Sequence, residues 1–154
     1  MLDTNFKRSV ILLTVHNKIE SIGFILNQPT KVGINELINE LPCFDAPVYI
    51  GGPVQKGTLH FIHSMGHLID GSIHVGENLY WSGNFQTLIK LVDEKKIFSS
   101  QIRFFAGYSG WGAGQLEKEI EEESWFVVPG NGEIAMRHNN QNLWKNFISQ
   151  MEKE

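Results

Sequence analysis

The chain has 154 residues, a formal net charge of −4, ten phenylalanines and four tryptophans. This length suits one domain with its own core, and the composition excludes a disordered chain. No apolar run approaches the roughly 20 residues of a membrane-spanning helix, and the N-terminus lacks the pattern of a signal peptide. We therefore expect a cytoplasmic protein. The single cysteine, Cys43, excludes an internal disulfide and a thiolate zinc cluster, and we expect it to be buried and inert.

The first half of the chain predicts strands around one short helix. Two β-branched runs, at residues 9–16 and 21–27, predict strands buried on both faces and joined by a tight connection. Pro29 should end the second strand. Apolar residues recur at helical spacing from Ile34 to Leu41 and predict a helix that Pro42 stops. Further strands are predicted at 48–50, 58–64, 72–75 and 79–81.

The second half adds three helices. A helix at 85–92 can be capped by Ser82 or Asn84, whose side-chain oxygens accept backbone N–H bonds. A strand at 101–108, an acidic helix at 113–123, a strand at 125–128 and a C-terminal amphipathic helix at 143–151 complete the chain. Helices and strands mix without strict alternation, which favours a single-domain α+β fold with a mixed sheet.

The most unusual stretch, here called the glycine segment, is Gly107-Tyr108-Ser109-Gly110-Trp111-Gly112-Ala113-Gly114-Gln115. We expect it to be a turn that comes after a strand and opens a helix. Its spacing is neither of the two common nucleotide-binding glycine patterns, and no lysine stands where a phosphate loop needs one. Ser109 misses the nucleophile-elbow pattern by one residue. Two interpretations stay open: a tight backbone crossing with Trp111 packed as a plug, or a small-anion site.

Clusters of titratable residues give weaker indications. The histidines at positions 60, 63, 67 and 74 lack the spacing of metal ligands, so we predict no metal site. The five glutamates between residues 117 and 123 suit a solvated helix face, and alternatively a surface that meets a basic partner. The net negative charge and scattered basic residues make direct nucleic-acid binding unfavourable.

Four motifs together resemble the YqgE/AlgH family of small bacterial proteins. They are Asn5-Phe6-Lys7-Arg8-Ser9-Val10-Ile11-Leu12-Leu13 with His16-Asn17, Gly23-Phe24-Ile25-Leu26-Asn27-Gln28-Pro29, Gly51-Gly52-Pro53-Val54, and the glycine segment continued through Leu116-Glu117. The resemblance implies a compact α+β fold with a bifurcated sheet, a small barrel-like part and about four surrounding helices. It implies no catalytic residue, although one branch of the family carries a label as a transcriptional regulator.

The family usually has a further strand before the first motif. If that strand is missing here, the resemblance implies an exposed sheet edge, which invites self-association.

We interpret the chain as a non-enzymatic binding or regulatory module without a cofactor, acting on a protein partner. Its candidate surface combines the polar and glycine-rich residues of three motifs: His16, Asn27, Gln28, Pro29, Gly51, Gly52, Pro53, Ser109, Trp111, Gly112 and Gln115. The alternatives are a small-metabolite or anion binder, or an enzyme with His16 or His60 as general base. A direct transcription factor is a third hypothesis, carried only by the family label.

Overall fold

The computed structural model describes residues 8–128, 135–136 and 142–152. Eight strands run in the order β1 (Ile11–His16), β2 (Glu20–Ile25), β3 (Pro29–Gly33), β4 (Pro47–Ile50), β5 (Val54–His63), β6 (Ile73–Gly76), β7 (Leu79–Trp81) and β8 (Ile102–Gly112). The helices with described bounds are α1 (Ile34–Leu37), α2 (Phe85–Asp93), α3 (Gln115–Glu121) and α4 (Leu143–Glu152), and a 3₁₀ turn spans Ser99–Gln101.

The long strand β8 is the axis of the sheet. The main path runs β1-β2-β8-β5-β7-β6, with β4 also paired to β8 and β3 paired to β4. One edge of β8 serves two strands in succession: β4 pairs parallel to it at Phe104–Ala106, and β2 pairs antiparallel to it at Ser109–Gly112. The sheet therefore forks along this edge, and the mixed α+β architecture is confirmed.

Each face of the sheet carries its own core because side chains alternate along β8. Ile102 and Phe104 belong to a cluster that includes the α2 residues Leu88 and Leu91. Phe105 belongs to a second cluster on the opposite face, together with Leu143 of α4. The two cores thus place α2 and α4 on opposite sides of the sheet.

Several local predictions are confirmed. Strands β1 and β2 form an antiparallel hairpin, and its turn is held by Asn17, whose Oδ1 accepts from the N–H groups of Ile19 and Glu20 at 2.8 and 2.9 Å. Asn84 caps α2 by accepting from the Thr87 N–H at 2.9 Å. These elements depend on short-range hydrogen bonds, which residue type and spacing indicate directly.

Three predictions about strands and turns are wrong. The first strand is half-buried rather than buried on both faces, because β1 lies at one end of the sheet. The second strand does end before Pro29, as predicted, and Pro29 itself is the first residue of β3, a position that proline tolerates. The glycine segment is not a turn up to Gly112, since β8 continues that far. Residues 125–128 form no strand, and the Trp125 indole instead donates to Glu119 at 2.9 Å.

The predicted helix at 34–41 shortens to a single turn because Asn35 competes for the backbone. Its Nδ2 donates to the carbonyls of Leu41 and Pro42 at 3.0 and 3.1 Å, and its Oδ1 accepts from the Phe44 N–H at 2.8 Å. The loop so held turns Leu41 and Phe44 toward the core and leaves Cys43 exposed, which corrects the expectation of a buried thiol.

None of the helices in the described part of the chain is both long and apolar enough to cross a membrane.

Candidate functional site

The two glycine motifs meet in a backbone crossing. Gly51 and Gly52 pass over β8 so closely that a Cβ on Gly51 would lie 2.4 Å from the Gly107 carbonyl oxygen. Gly107 itself has φ of 71°, a left-handed backbone conformation that glycine adopts without steric cost. This geometry supports the crossing interpretation of the glycine segment, and Trp111 is packed as expected, with 5% of its surface exposed.

Several residues of the candidate surface are therefore interior. Gly51, Gly52 and Ser109 are buried, and the Ser109 hydroxyl donates to the Gly51 carbonyl at 3.0 Å. That bond fixes the crossing and gives Ser109 a structural partner.

The Asn27-Gln28-Pro29 motif holds neighbouring strands together. Asn27 Oδ1 accepts from the Val10 N–H, and its Nδ2 donates to the Arg8 carbonyl, both at 2.9 Å. The Gln28 carbonyl accepts from the Ile50 N–H at 2.9 Å. These contacts fasten the segment before β1 and the beginning of β3 to the sheet.

At the far end of the hairpin, His16 lies in a short hydrogen-bonded chain. Its Nδ1 is 2.6 Å from the Ser21 hydroxyl, and its Nε2 is 3.1 Å from Glu117 Oε1. A serine, a histidine and a carboxylate in this order resemble a nucleophilic triad in composition. However, Ser21 is only 2% exposed, which keeps its hydroxyl from a substrate. These two hydrogen bonds instead connect the β1–β2 hairpin to α3.

A second polar cluster seals the end of β8 against α3. Glu119 Oε1 accepts from the indole N–H groups of Trp111 and Trp125 at 3.1 and 2.9 Å. Glu119 Oε2 accepts from Gln115 Nε2 at 3.0 Å, and Gln115 Oε1 accepts from the Gly112 N–H at 3.0 Å. The two indole rings meet edge to face with centroids 5.9 Å apart. Glu119 of the acidic helix α3 therefore has a structural role, because its carboxylate binds Trp111, Trp125 and Gln115.

Beside this cluster lies an apolar cleft of about 930 Å³. Its walls come from the segment around β1, the β6–β7 hairpin, α3, residues 124–128 and α4. The apolar side chains that line it include Leu13, Leu116, Ile120, Trp125, Phe126 and Val127. Phe126 is 60% exposed, Val127 71% and Leu13 36%, so the rim presents hydrocarbon to solvent.

The cleft contains one residue of the predicted surface, Trp111. The structure does not gather the other predicted residues around it. The one feature of the sequence that pointed to the cleft is the apolar run at residues 125–128, which predicted a strand instead. Because this run pairs with no strand, Phe126 and Val127 remain exposed. The sequence does not show which strands pair, so it could not show this exposure.

The four histidines at positions 60, 63, 67 and 74 do not come together as a metal-binding group. Within the described ranges no group of three metal-ligating side chains comes together. His63 is fully buried: its Nε2 lies 2.9 Å from the Ser82 carbonyl, and its Nδ1 accepts from the Met65 N–H at 3.1 Å. The neutral Nε2–H form satisfies both contacts. Burial lowers the pKa of His63, although the bond to Ser82 opposes this, and burial also lowers the pKa of His60.

A buried arginine gave no signal in the sequence because Arg103 sits within an ordinary strand pattern. Its Nη1 and Nη2 donate to the carbonyls of Ala135 and Leu26, both at 2.6 Å. The guanidinium lies 4.2 Å from the Tyr49 ring centroid. Burial lowers the pKa of Arg103 to about 10, while Tyr49 favours the charged form. Arg103 therefore remains a cation at neutral pH and ties the segment at Ala135 to the sheet.

The fold and the cleft together define a small α+β protein built on a forked, nearly closed barrel-like sheet. The sequence profile described as AlgH-like matches residues 1–154, and the chain belongs to this family.

Relatives with curated sequences include UPF0301 proteins of several bacteria. Those of Chlorobium limicola and Chlorobaculum tepidum are 42% and 41% identical over 148 residues, which is 96% of this chain and 79% of each relative. That of Cytophaga hutchinsonii is 37% identical over 150 residues, covering 97% of this chain and 82% of the relative. These names state a family and no activity.

Two solved structures share the fold. The solution structure of AlgH from Pseudomonas aeruginosa is similar with a TM-score of 0.79 and 25% identity over 98% of this chain and 82% of that one. The crystal structure of DIP2367 from Corynebacterium diphtheriae has a TM-score of 0.78 and 27% identity over 97% and 81% of the two chains.

Proposed function

We propose that this protein is a non-enzymatic binding module that takes an apolar segment of a protein partner in the cleft. The observation that carries the proposal is the exposure of Leu13, Phe126 and Val127 around the cleft. Contiguous apolar surface left in solvent is typical of interaction sites. A partner that covers these side chains removes them from water, which is the main favourable contribution to association.

The chemistry of the lining favours binding over catalysis. Among the described lining residues, Glu77 is the one ionisable side chain, and the rest are apolar, hydroxyl, amide or glycine. General acid–base catalysis needs two titratable groups, or one with a positioned partner, close to the substrate. Small-metabolite sites also rely on a few convergent polar groups that fix orientation. A hydrocarbon cleft with an open rim suits a peptide segment better.

The candidate surface at the glycine segment stays a prediction, from which burial removes Gly51, Gly52 and Ser109. Trp111 lines the cleft, whereas His16, Gly112 and Gln115 do not. An anion at the glycine segment would compete for the Gly112 N–H with Gln115. This competition favours the apolar cleft over the anion or metabolite alternative.

We place this activity in the cytoplasm, where a protein partner would be met, in agreement with the sequence composition. A net charge of −4 opposes direct binding to nucleic acid, because phosphate contacts need clustered cations. A regulatory role would therefore be exerted through the partner protein.

Self-association through the sheet edge is a separate part of the proposal. Within the described residues β1 pairs with β2 alone and stands at the end of the sheet. An open edge can pair with a second copy. Sedimentation equilibrium decides this point: a Val15→Lys variant, on β1 but outside the cleft lining, should shift a dimer toward monomer, and a wild type that is monomeric at all concentrations contradicts it.

Site-specific photo-crosslinking tests the cleft. A photoreactive residue at Val127 is compared with one at Phe98, which is also highly exposed but is not part of the cleft. In cells, position 127 should capture a discrete set of polypeptides that position 98 does not. Purified partner should then lose affinity for Val127→Ser while circular dichroism remains unchanged. Identical captures at both positions, or none at 127, would reject the proposal.

A further inference from the structure

We infer that the segment bound in the cleft is cationic as well as apolar; this inference rests on the function proposed above. The starting point is α3, which forms one wall of the cleft. Its Leu116 and Ile120 line the cavity. The same helix and the residues just after it carry the exposed glutamates Glu117, Glu121, Glu122 and Glu123. The apolar wall therefore has an acidic border.

The three glutamates at the C-terminal end of α3 lie where the helix dipole disfavours negative charge. Glu121 is the last residue of α3, and Glu122 caps its C-terminus. Carboxylates there face the negative end of the helix dipole, which is unfavourable. Glu123 has φ of 61°, at a position where glycine usually ends a helix without strain. Three acids in this place reduce the stability of α3, so a stabilising role in the free protein does not account for them.

Three of these acids, Glu121, Glu122 and Glu123, form no ion pair within the part of the chain that the structure describes. Within residues 8–128, 135–136 and 142–152, the ion pairs are His16 with Glu117 and Lys96 with Glu94. Glu121, Glu122 and Glu123 take part in neither. Glu77 adds a further carboxylate in the cleft lining, from the β6–β7 hairpin.

Cations on the adjoining elements do not cancel this charge. Lys118 is exposed on α3 and Lys145 on α4, while the Arg8 guanidinium lies over the Trp144 ring at 5.5 Å from its centroid. Three cations stand against Glu77, Glu117 and the three terminal glutamates. Counted over the described residues, five carboxylates against three cations leave the border with a net negative charge.

The occupant that this surface fits is a segment with apolar side chains interleaved with lysine or arginine. Its apolar residues would pack on Leu13, Phe126 and Val127, and its cations would approach the glutamates at the end of α3. Charge complementarity at a rim speeds association and selects partners more than it adds affinity. A second copy of this chain fits less well, because two copies with a net charge of −4 would bring like charges together.

The test uses three labelled peptides that differ only in their polar residue. All carry leucine at every second position, and lysine, serine or glutamate fills the positions between. Binding is measured by fluorescence anisotropy at low and high salt. The acid-free variant Glu121→Gln/Glu122→Gln/Glu123→Gln is compared with Glu40→Gln/Asp45→Asn/Asp93→Asn, which removes the same charge from exposed sites outside the cleft.

The lysine peptide should bind most tightly and the glutamate peptide least. In the acid-free variant the lysine peptide should bind about fivefold to tenfold more weakly, as expected for a few exposed charge pairs. The matched control should bind like the wild type, and salt should reduce the difference between them. Val127→Ser should weaken all three peptides.

The other outcomes are distinguishable. Equal binding of the three peptides, each weakened by Val127→Ser, leaves the apolar binding function in place and overturns the cationic preference. Equal loss of lysine-peptide binding in the acid-free variant and the matched control overturns it as well, since only general charge would then matter. If none of the peptides binds the wild type, or Val127→Ser has no effect on any of them, the proposed function fails together with this inference.

Discussion

Gly52 lies against the backbone of Tyr108 so closely that a Cβ on Gly52 would stand 2.2 Å from the Tyr108 carbonyl carbon. The neighbour is main chain at the centre of the sheet, so it cannot move aside as a flexible side chain would. Two motifs separated by more than 50 residues in the sequence are therefore two halves of one crossing.

The first prediction concerns this crossing. Gly52→Ala should lower the free energy of unfolding by about 3 kcal/mol or more, the upper range for inserting a methyl group into a packed interior. Gly57→Ala is the matched control, because nothing lies within 4 Å of a Cβ there. It should change stability by less than about 1 kcal/mol, on the favourable side. Urea titrations measure both, and equal effects of the two substitutions would contradict the crossing.

A second prediction concerns the pH dependence of stability. Burial lowers the pKa of His63 in the folded protein below its ordinary value of 6.5. Between 6.5 and that lower pKa, the unfolded chain binds a proton that the folded chain does not. The free energy of unfolding should therefore be highest above pH 6.5 and should fall as the pH drops through this window.

Urea titrations at several pH values between about 5 and 7.5 measure this slope. His63→Gln should flatten it, and the exposed His67→Gln should leave it unchanged. His60, whose pKa burial also lowers, should contribute the remaining slope. If His63→Gln keeps the full slope of the wild type, His63 does not carry the effect.

The third prediction concerns Arg103. Replacing it with methionine removes two short bonds from a charged donor, each contributing roughly 1.5–3 kcal/mol. The removal of a buried charge offsets part of this loss, because burial disfavours the cation. We expect a net loss of about 2 kcal/mol in thermal or urea unfolding, with Arg103→Lys in between. A methionine variant as stable as the wild type would show that the burial cost equals the two bonds.

The fourth prediction concerns Glu119, which accepts hydrogen bonds from two tryptophans and Gln115. In Glu119→Gln the side chain loses one acceptor oxygen, and its amide opposes the Gln115 donor. Stability should fall by about 1 kcal/mol, and the tryptophan emission of the folded protein should shift. The exposed Glu121→Gln should do neither. Equal effects at both positions would mean that the carboxylate of Glu119 does not hold the end of β8 against α3.

Local signals in the sequence are strong where a few neighbouring residues decide the structure. The β1–β2 hairpin and the Asn84 cap depend on contacts a few residues apart, and both are confirmed. Predictions fail where a more distant partner decides. Asn35 cuts short a helix that apolar spacing predicts, by bonding backbone groups six to nine residues away. Residues 125–128 have strand-forming composition, but the Trp125 indole is bound to α3 instead.

Composition, periodicity and motif order are properties of the chain alone, and they suffice for the α+β class, the family and the presence of a tight feature at the glycine segment. The structural role of that segment depends on parts of the chain that are distant in sequence and meet only in the folded protein. There Gly107 crosses under Gly51 and Gly52. The convergence of β1, α3 and residues 124–128 on one cleft is likewise a tertiary property. Burial is set by which elements cover one another, and so the exposed rim at Phe126 and Val127 is visible only in the folded protein.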